Sequence, residues 1–246
     1  MIKKKYLFYL LFSVVILNDA NKLSALAVDK FVLITSLYNE SNIVRINEYI
    51  YCLQRNLDHA NIGTIHVIYD TLHSDTDSKI LEFLKSHNIQ LSYVVGRPTY
   101  GHCFALANEL YRDQKIIVSN ADIFFNETLS LLLNYDLNNK FLALTRWNVL
   151  KDFSIEPYYW FGQKVECSQD TWIFKSPIRR FDNDNIKLGT QHCDGLIAYQ
   201  AKKSNLFVLN PCETIQCCHL HLSDIRHYDL IPHFGNIMIE VPWSKL

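Results

Sequence analysis

Two stretches of this 246-residue chain hold residue types that can bind a cation together. In the first, Ile116-Ile117-Val118-Ser119-Asn120-Ala121-Asp122-Ile123-Phe124-Phe125, an apolar run ends in a small polar group carrying one carboxylate, and apolar residues resume at once. The second is Thr214-Ile215-Gln216-Cys217-Cys218-His219-Leu220-His221-Leu222. On a strand alternate residues share a face, so Cys217, His219 and His221 point one way and Cys218, Leu220 and Leu222 the other. A carboxylate with one or two imidazoles is a donor set for a divalent ion. Each part also has an ordinary reading, Asp122 as a turn residue and the histidines as hydrogen-bonding members of a sheet. Two more carboxylates are placed to move a proton. Asp194 opens an amphipathic run in His192-Cys193-Asp194-Gly195, where it could equally cap a helix. Asp170 stands just before the apolar Thr171-Trp172-Ile173-Phe174, where it could be a turn residue. Arg97, in Gly96-Arg97-Pro98, can offset anionic charge or pair at the surface.

The elements that must position these groups follow from periodicity. Ile116 to Ser119 is a β-branched run of the kind buried on both faces of a parallel sheet, and the carboxyl ends of such strands open onto the ligand crevice. Three strand-helix units precede it. Residues 31–36 form a core strand followed by the loop Leu37-Tyr38-Asn39-Glu40. Asn42 is an N-cap for a helix to about His59, with Ile46, Tyr49, Ile50, Leu53 and Leu57 at helical spacing. Thr64 to Tyr69 is a strand ending at Asp70, and Asp75-Thr76-Asp77 opens a helix through Leu81, Leu84 and Lys85. Gln90 to Val95 is a third strand, and His102 to Tyr111 a third helix. This alternation predicts an α/β domain with a mostly parallel sheet flanked by helices, with Thr35 to Glu40, Asp70, Arg97 and Asp122 gathered on one edge. Beyond Asp122 the pattern predicts a helix over Glu127 to Leu137, strands over Phe141 to Trp147 and Thr171 to Phe174, an irregular aromatic excursion at Pro157 to Phe161, and a helix after His192. Two last strands follow, over Leu206 to Leu209 and Thr214 to Leu222. Arg179-Arg180 with Asp182 and Asp184 forms a solvated loop that would also suit a lid, and Arg146-Trp147 could place a sugar by stacking.

In this order the motifs resemble those of the GT-A glycosyltransferases, family 2-like, over roughly residues 31–222. Thr35-Ser36-Leu37-Tyr38-Asn39-Glu40 resembles the loop that sits beside the nucleotide, and Asp70 the acid that binds base or ribose. Asn120-Ala121-Asp122 is similar to a degenerate DxD motif whose last acid holds the metal, and Cys193-Asp194 to the site of the catalytic base. The resemblance implies a Rossmann-like GT-A domain over 28–246 that moves a hexosyl group from a UDP- or GDP-linked donor to a glycan, lipid or protein acceptor. Ser36, Tyr38, Asn39, Glu40, Asp70, Arg97 and Asn120 would bind the nucleotide sugar. Asp122 with a late histidine, His219 or His221, would hold Mn²⁺ or Mg²⁺. Asp194, with Asp170 as the second choice, would be the base of an inverting transfer. Two other readings stand beside this one. A zinc hydrolase would use Asp122, His219 and His221 as ligands and Asp170 or Asp194 as base, leaving Asp70 and the Tyr38-Asn39-Glu40 loop without a role. A non-catalytic nucleotide- or carbohydrate-binding relative is compatible with Asn120 in place of an acid.

Composition sets bounds on partners and compartment. Apolar residues make up 49% and charged residues 20%, a globular balance, and the net charge of -1 argues against a nucleic-acid partner. Seven scattered cysteines form no CxxC pair, which excludes a zinc ribbon, while one or two disulfides stay open. Lys3-Lys4-Lys5, the apolar run Tyr6 to Leu17 and Ala25-Leu26-Ala27 make residues 1–27 a signal peptide or short membrane anchor. The run is shorter than the roughly 20 residues that span a bilayer. Export or membrane association through this leader is the expectation. Two glycosylation sequons, Asn39-Glu40-Ser41 and Asn126-Glu127-Thr128, flank the proposed site and leave the compartment open.

Overall fold

The computed structural model describes residues 30–72, 78–223, 225 and 239–246. The leader and Asp75-Thr76-Asp77 lie outside the described residues. In chain order the elements are β1 (Phe31–Tyr38), α1 (Ile43–Leu57), β2 (Ile62–Asp70), α2 (Lys79–Ser86), β3 (Gln90–Val94), α3 (Tyr100–Leu110), β4 (Lys115–Ser119) and β5 (Ile123–Phe125). A 3₁₀ helix (Glu127–Leu132) leads to β6 (Lys140–Leu144), β7 (Trp147–Val149), β8 (Ile155–Pro157), β9 (Tyr159–Trp160), β10 (Gln163–Lys164) and β11 (Thr171–Lys175). Last come α4 (Cys193–Lys203), β12 (Phe207–Leu209) and β13 (Cys217–His219).

Seven strands form the central sheet, in the order β12-β6-β11-β4-β1-β2-β3. β1 pairs parallel with both β2 and β4, β2 with β3 and β6 with β12, while β11 runs antiparallel between β4 and β6. The period-two alternation of β1 and β4 explains why both faces need helices. Phe31, Leu33 and Ile117 point into a core shared with Ile46, Tyr49 and Leu53 of α1 and Ile80 and Leu84 of α2. Val32, Ile34, Ile116 and Val118 point into a second core with Cys103, Phe104 and Ala107 of α3 and Ile197 and Ala201 of α4. Each such fully buried side chain contributes about 1.5–3 kcal/mol of apolar transfer, so the two-sided burial stabilises the strands that set the site. The fold is therefore the α/β class expected, a large, mostly parallel sheet flanked by helices.

A second sheet, β5-β13-β7-β8, stands beside the carboxyl end of β4. Asn56 of α1 grips its outer strand, donating to the Ile123 carbonyl at 2.8 Å and accepting from the Phe125 N–H at 3.1 Å. β5 pairs antiparallel with β13, setting Ile123 opposite His219.

Several boundaries differ from the sequence expectation. The helix predicted over Glu127 to Leu137 is a 3₁₀ helix of six residues, capped by Asn126, which accepts from the Thr128 N–H. The strand predicted over Phe141 to Trp147 divides, because Thr145 N–H donates to the buried Asn210 side chain instead of continuing the ladder. Of Thr214 to Leu222 only Cys217–His219 is strand, and Ser78, not the acidic residues before it, caps α2. The aromatic excursion at Pro157 to Phe161 contains the short antiparallel pair β9–β10. Residues 178–188 are tied down by buried Ile178, Phe181 and Ile186 and by backbone bonds to residues 98–101, so they form a fastened strap rather than a lid.

Candidate active site

Strand order reverses at β1, with β2 on one side and β4 on the other, and at such a point the diverging loops leave a crevice beyond the strand ends. A cavity of about 500 Å³ opens there. Its wall includes Ser36, Tyr38 and Asn39 from the end of β1, Asp70 from β2, Asn120 and Asp122 after β4, and Asp170 before β11. Arg97, Lys187, Arg146, Arg45, His219 and His221 complete its polar lining.

Asp122 is the best-defined group in the wall. The Leu220 N–H donates to its carbonyl at 2.9 Å, which locks it to the β13 end and brings His219 Nε2 to 3.1 Å from Oδ2. The ligating atoms of Asp122, His219 and His221 lie within 4.8 Å of one another. Alternation holds along the strand, with Cys217 in a different core cluster from Cys218 and Leu220. The Cys217 thiol meets the carbonyl of Thr145 and is not in the ligand group, while His221, beyond the strand end, has its ring 5.5 Å from that of His219. His221 Nε2 donates to the Ile225 carbonyl at 2.8 Å.

Sequence reasoning missed Arg45. Its Nη2 donates to Asp122 Oδ2 at 2.5 Å, its Nη1 to Glu48 Oε2 at 2.8 Å and its Nε to the Tyr49 hydroxyl at 3.1 Å. Glu48 in turn accepts from the Leu222 and Ser223 N–H groups, both at 2.7 Å, and so fastens the segment that follows the histidines. Burial alone would push the Asp122 carboxyl up, but His219 and Arg45 outweigh it and hold it well below the usual carboxylate range. Burial works against the Arg45 charge, and the Asp122 carboxylate together with the hydrogen bonds to Glu48 and Asp122 outweighs it and raises the guanidinium above its ordinary value. The donor set fits a divalent ion on one further observation. Asp122 Oδ1 is buried and has no hydrogen-bond partner among the described residues. A buried ionised oxygen left unsatisfied costs more than about 1–3 kcal/mol, so a cation satisfying it would be strongly favoured.

Asp170 lines the cavity and is oriented twice, Oδ1 accepting from Asn120 Nδ2 at 2.8 Å and Oδ2 from Arg146 Nη1 at 3.2 Å. Asp194 does not line it. Nor is Asp194 the helix cap: His192 holds that position and Asp194 stands in the first turn of α4, accepting from the Cys193 thiol at 3.0 Å. Burial first, then the charge of Asp170, push the Asp194 carboxyl up to about 7. Arg146 and Trp147 are both engaged within the protein. The guanidinium lies 3.9 Å from the Tyr158 ring centroid, and the indole N–H donates to the Cys212 carbonyl.

Asp70 Oδ1 accepts from the Leu72 and Gly96 N–H groups, both at 2.8 Å, which folds both loops around one carboxylate oxygen. Arg97 Nη1 donates to the Gly189 carbonyl at 2.8 Å and so ties the cavity rim to the strap. Glu40 is outside the cavity wall. It is buried, and its oxygens accept from the Tyr38 hydroxyl and the Asn42 N–H, which makes it a support for the loop and for the start of α1. The Asn126 amide of the second sequon donates to Gln216 at 2.6 Å, an engaged position for a glycan acceptor. All seven cysteines are free thiols. Among the described residues no helix is long and apolar enough to cross a membrane.

No protein-family model matches the sequence, and no curated protein sequence matches it. Solved structures resemble its architecture at low identity. A mannosyltransferase from Pyrobaculum calidifontis, in complex with GDP-Man and Mn²⁺, is 13% identical over 84% of this chain with a TM-score of 0.49. TarS from S. aureus is 16% identical over 82% of this chain with a TM-score of 0.45. The chain spans 58% of the first of these and 37% of the second.

Proposed function

We propose that the protein is a glycosyltransferase that moves a hexosyl group from a UDP- or GDP-linked donor to a hydroxyl of a glycan, lipid or protein acceptor. The observation that carries this reading is the buried, unpartnered Asp122 Oδ1 beside two imidazoles, on the wall of a cavity at the sheet's reversal point. Asp122, His219 and His221 would hold the ion, and two nitrogen donors in three favour Mn²⁺ over Mg²⁺. Such an ion supplies positive charge against the charge developing on a departing diphosphate. Arg97 and Lys187 add cationic charge to the same cavity, and the carboxylate of Asp70 offers its second oxygen to a ribose or base. Asp170, oriented by Asn120 and Arg146, takes the proton of the acceptor hydroxyl. The acceptor oxygen bonds to the anomeric carbon as the carbon–oxygen bond to the diphosphate breaks, so the product is inverted. Asp194 stands near enough to Asp170 for their charges to interact, and its own titration sets the pH at which the pair is fully ionised. Export or membrane association through residues 1–27 belongs to the same proposal, and N-terminal sequencing of the mature protein checks it.

Calorimetric titration with UDP and with GDP, with and without Mn²⁺, tests the assignment. Binding that requires Mn²⁺ and is lost in Asp122→Ala supports it; undiminished binding in that variant overturns it. The triad also suits zinc, and zinc retained through purification without any nucleotide binding would favour the hydrolase reading instead. Metal-dependent nucleotide binding with no donor turnover would leave a binding protein.

A further inference from the structure

The β9–β10 hairpin exposes aromatic surface that folding does not require. Tyr159 is 47% exposed, Trp160 62% and Phe161 92%. The tip is the two-residue turn Phe161-Gly162, with φ of +47° and +78°. Turns with two left-handed residues are ordinarily built from Asn-Gly or Asp-Gly, because a bulky side chain is disfavoured at positive φ. Phe161 therefore costs stability in backbone conformation, and its exposed ring gains no burial in return. Such local conflicts are expected where function demands them.

The hairpin is also held in place. The Tyr159 ring packs 5.4 Å from that of Trp243, and Lys164 Nζ meets Glu213 Oε1 at 2.5 Å. Trp243 Nε1 donates to the Val165 carbonyl at 2.9 Å. At its base, the Tyr158 N–H donates to the Arg146 carbonyl, and the Tyr158 ring lies against the Arg146 guanidinium that orients Asp170. The base of the hairpin thus abuts Arg146, which lines the cavity beside Asp170, while Trp160 and Phe161 stand exposed at its outer end.

We infer that this hairpin is an acceptor-docking arm, on which Trp160 and Phe161 stack against the apolar faces of pyranose rings in a glycan. The inference rests on the transferase reading and narrows its acceptor to a carbohydrate. Aromatic faces pack on the C–H faces of sugars while ring hydroxyls stay solvated, so a rigid ring pair with exposed faces suits a glycan chain leading into the cavity. Charge disfavours an anionic membrane as occupant. In residues 151–166 and at 213, the acids Asp152, Glu156, Glu166 and Glu213 outnumber Lys151 and Lys164. Lys164 is already paired with Glu213.

Saturation-transfer NMR of the whole protein with mannohexaose, cellohexaose, chitohexaose and xylohexaose tests the inference. At least one hexaose should bind, and Trp160→Ala and Phe161→Asn should each weaken it about tenfold while nucleotide binding with Mn²⁺ is unchanged. Asparagine tolerates the positive φ, so Phe161→Asn separates lost stacking from lost folding. The inference is overturned if no hexaose binds or if the variants bind equally well. It is also overturned if the two rings instead govern binding to phosphatidylcholine–phosphatidylglycerol vesicles or self-association. Nucleotide binding without hexaose binding removes the arm alone. Hexaose binding through the arm without nucleotide binding removes the transferase reading and leaves a carbohydrate-binding surface.

Discussion

Arg45→Met probes the centre of the site, because methionine keeps an apolar stem of similar length and removes only the charge. Arg45 is 6% exposed and bonds both Asp122 and Glu48. Without it, two buried carboxylates face each other's field with only His219 as a nearby partner for Asp122. Removing one member of a buried ion pair costs about 3–5 kcal/mol. For a domain of this size that corresponds to a fall in Tm of about 6–20 °C. The pH dependence follows from the depressed Asp122 carboxyl. A group held low in the folded state adds stability above its unfolded value of about 3.9, and that stability is lost as pH falls through the folded value. The variant should therefore show its full deficit from neutral pH down to the unfolded value and recover toward the wild type only below it. A divalent ion at Asp122, His219 and His221 would restore the missing positive charge, and an ion at a hundredfold its Kd adds about 2.7 kcal/mol. Differential scanning fluorimetry at neutral pH and below about pH 4, and at neutral pH in EDTA and in Mn²⁺, measures each term. Mn²⁺ should raise the variant's Tm by several degrees and more than it raises the wild type's. A deficit independent of pH, or a Tm indifferent to Mn²⁺, would refute both the electrostatic account and the metal assignment.

Two other outcomes follow from the same structure. An aspartate raised to about 7 keeps its proton in the folded state while the unfolded chain ionises, so Asp194 withdraws stability as pH climbs from about 4 to 7. Asp194→Asn should remove that loss and melt higher than the wild type above neutrality, while donor turnover falls and loses its rise through pH 7, checked by melting and rate profiles across pH. Asn56→Ala strips two bonds from β5 and should cost about 1–3 kcal/mol in urea unfolding without changing nucleotide affinity, since Asn56 lies outside the cavity wall.

Much of the frame was legible because local and tertiary demands agree. Ile116 to Val118 is apolar and fully buried at every position, and a strand flanked by partners on both sides needs that run. Asn42 caps α1 as its type predicts, accepting from the N–H groups of Val44 and Arg45. The site's acids were legible as strand-end residues, and Asp70, Asp122 and Asp170 all line the cavity. Arg45 was overlooked although a signal existed. Arg45, Glu48, Tyr49, Cys52 and Asn56 recur at helical spacing on the buried side of α1, and three polar residues in such a stripe demand partners. Boundaries after Asp122 were illegible for another reason. β6 ends where Asn210, distant in sequence, captures the Thr145 N–H, and no local pattern encodes that bond.

By itself, then, the sequence determined the strand-helix alternation, the two-faced burial of the sheet and the delivery of Asp70 and Asp122 to strand ends, because apolar periodicity and capping are local properties of the chain. The tertiary structure alone decided which groups meet. It set His219 and His221 against Asp122 through one backbone bond from Leu220, placed Asp170 rather than Asp194 on the cavity wall, and gave Asp122 a guanidinium partner from α1. The physical reason is the same in each case. The charge and proton affinity of a buried group are set by what packs within a few ångströms of it, and those neighbours come from segments 24 to 97 positions away.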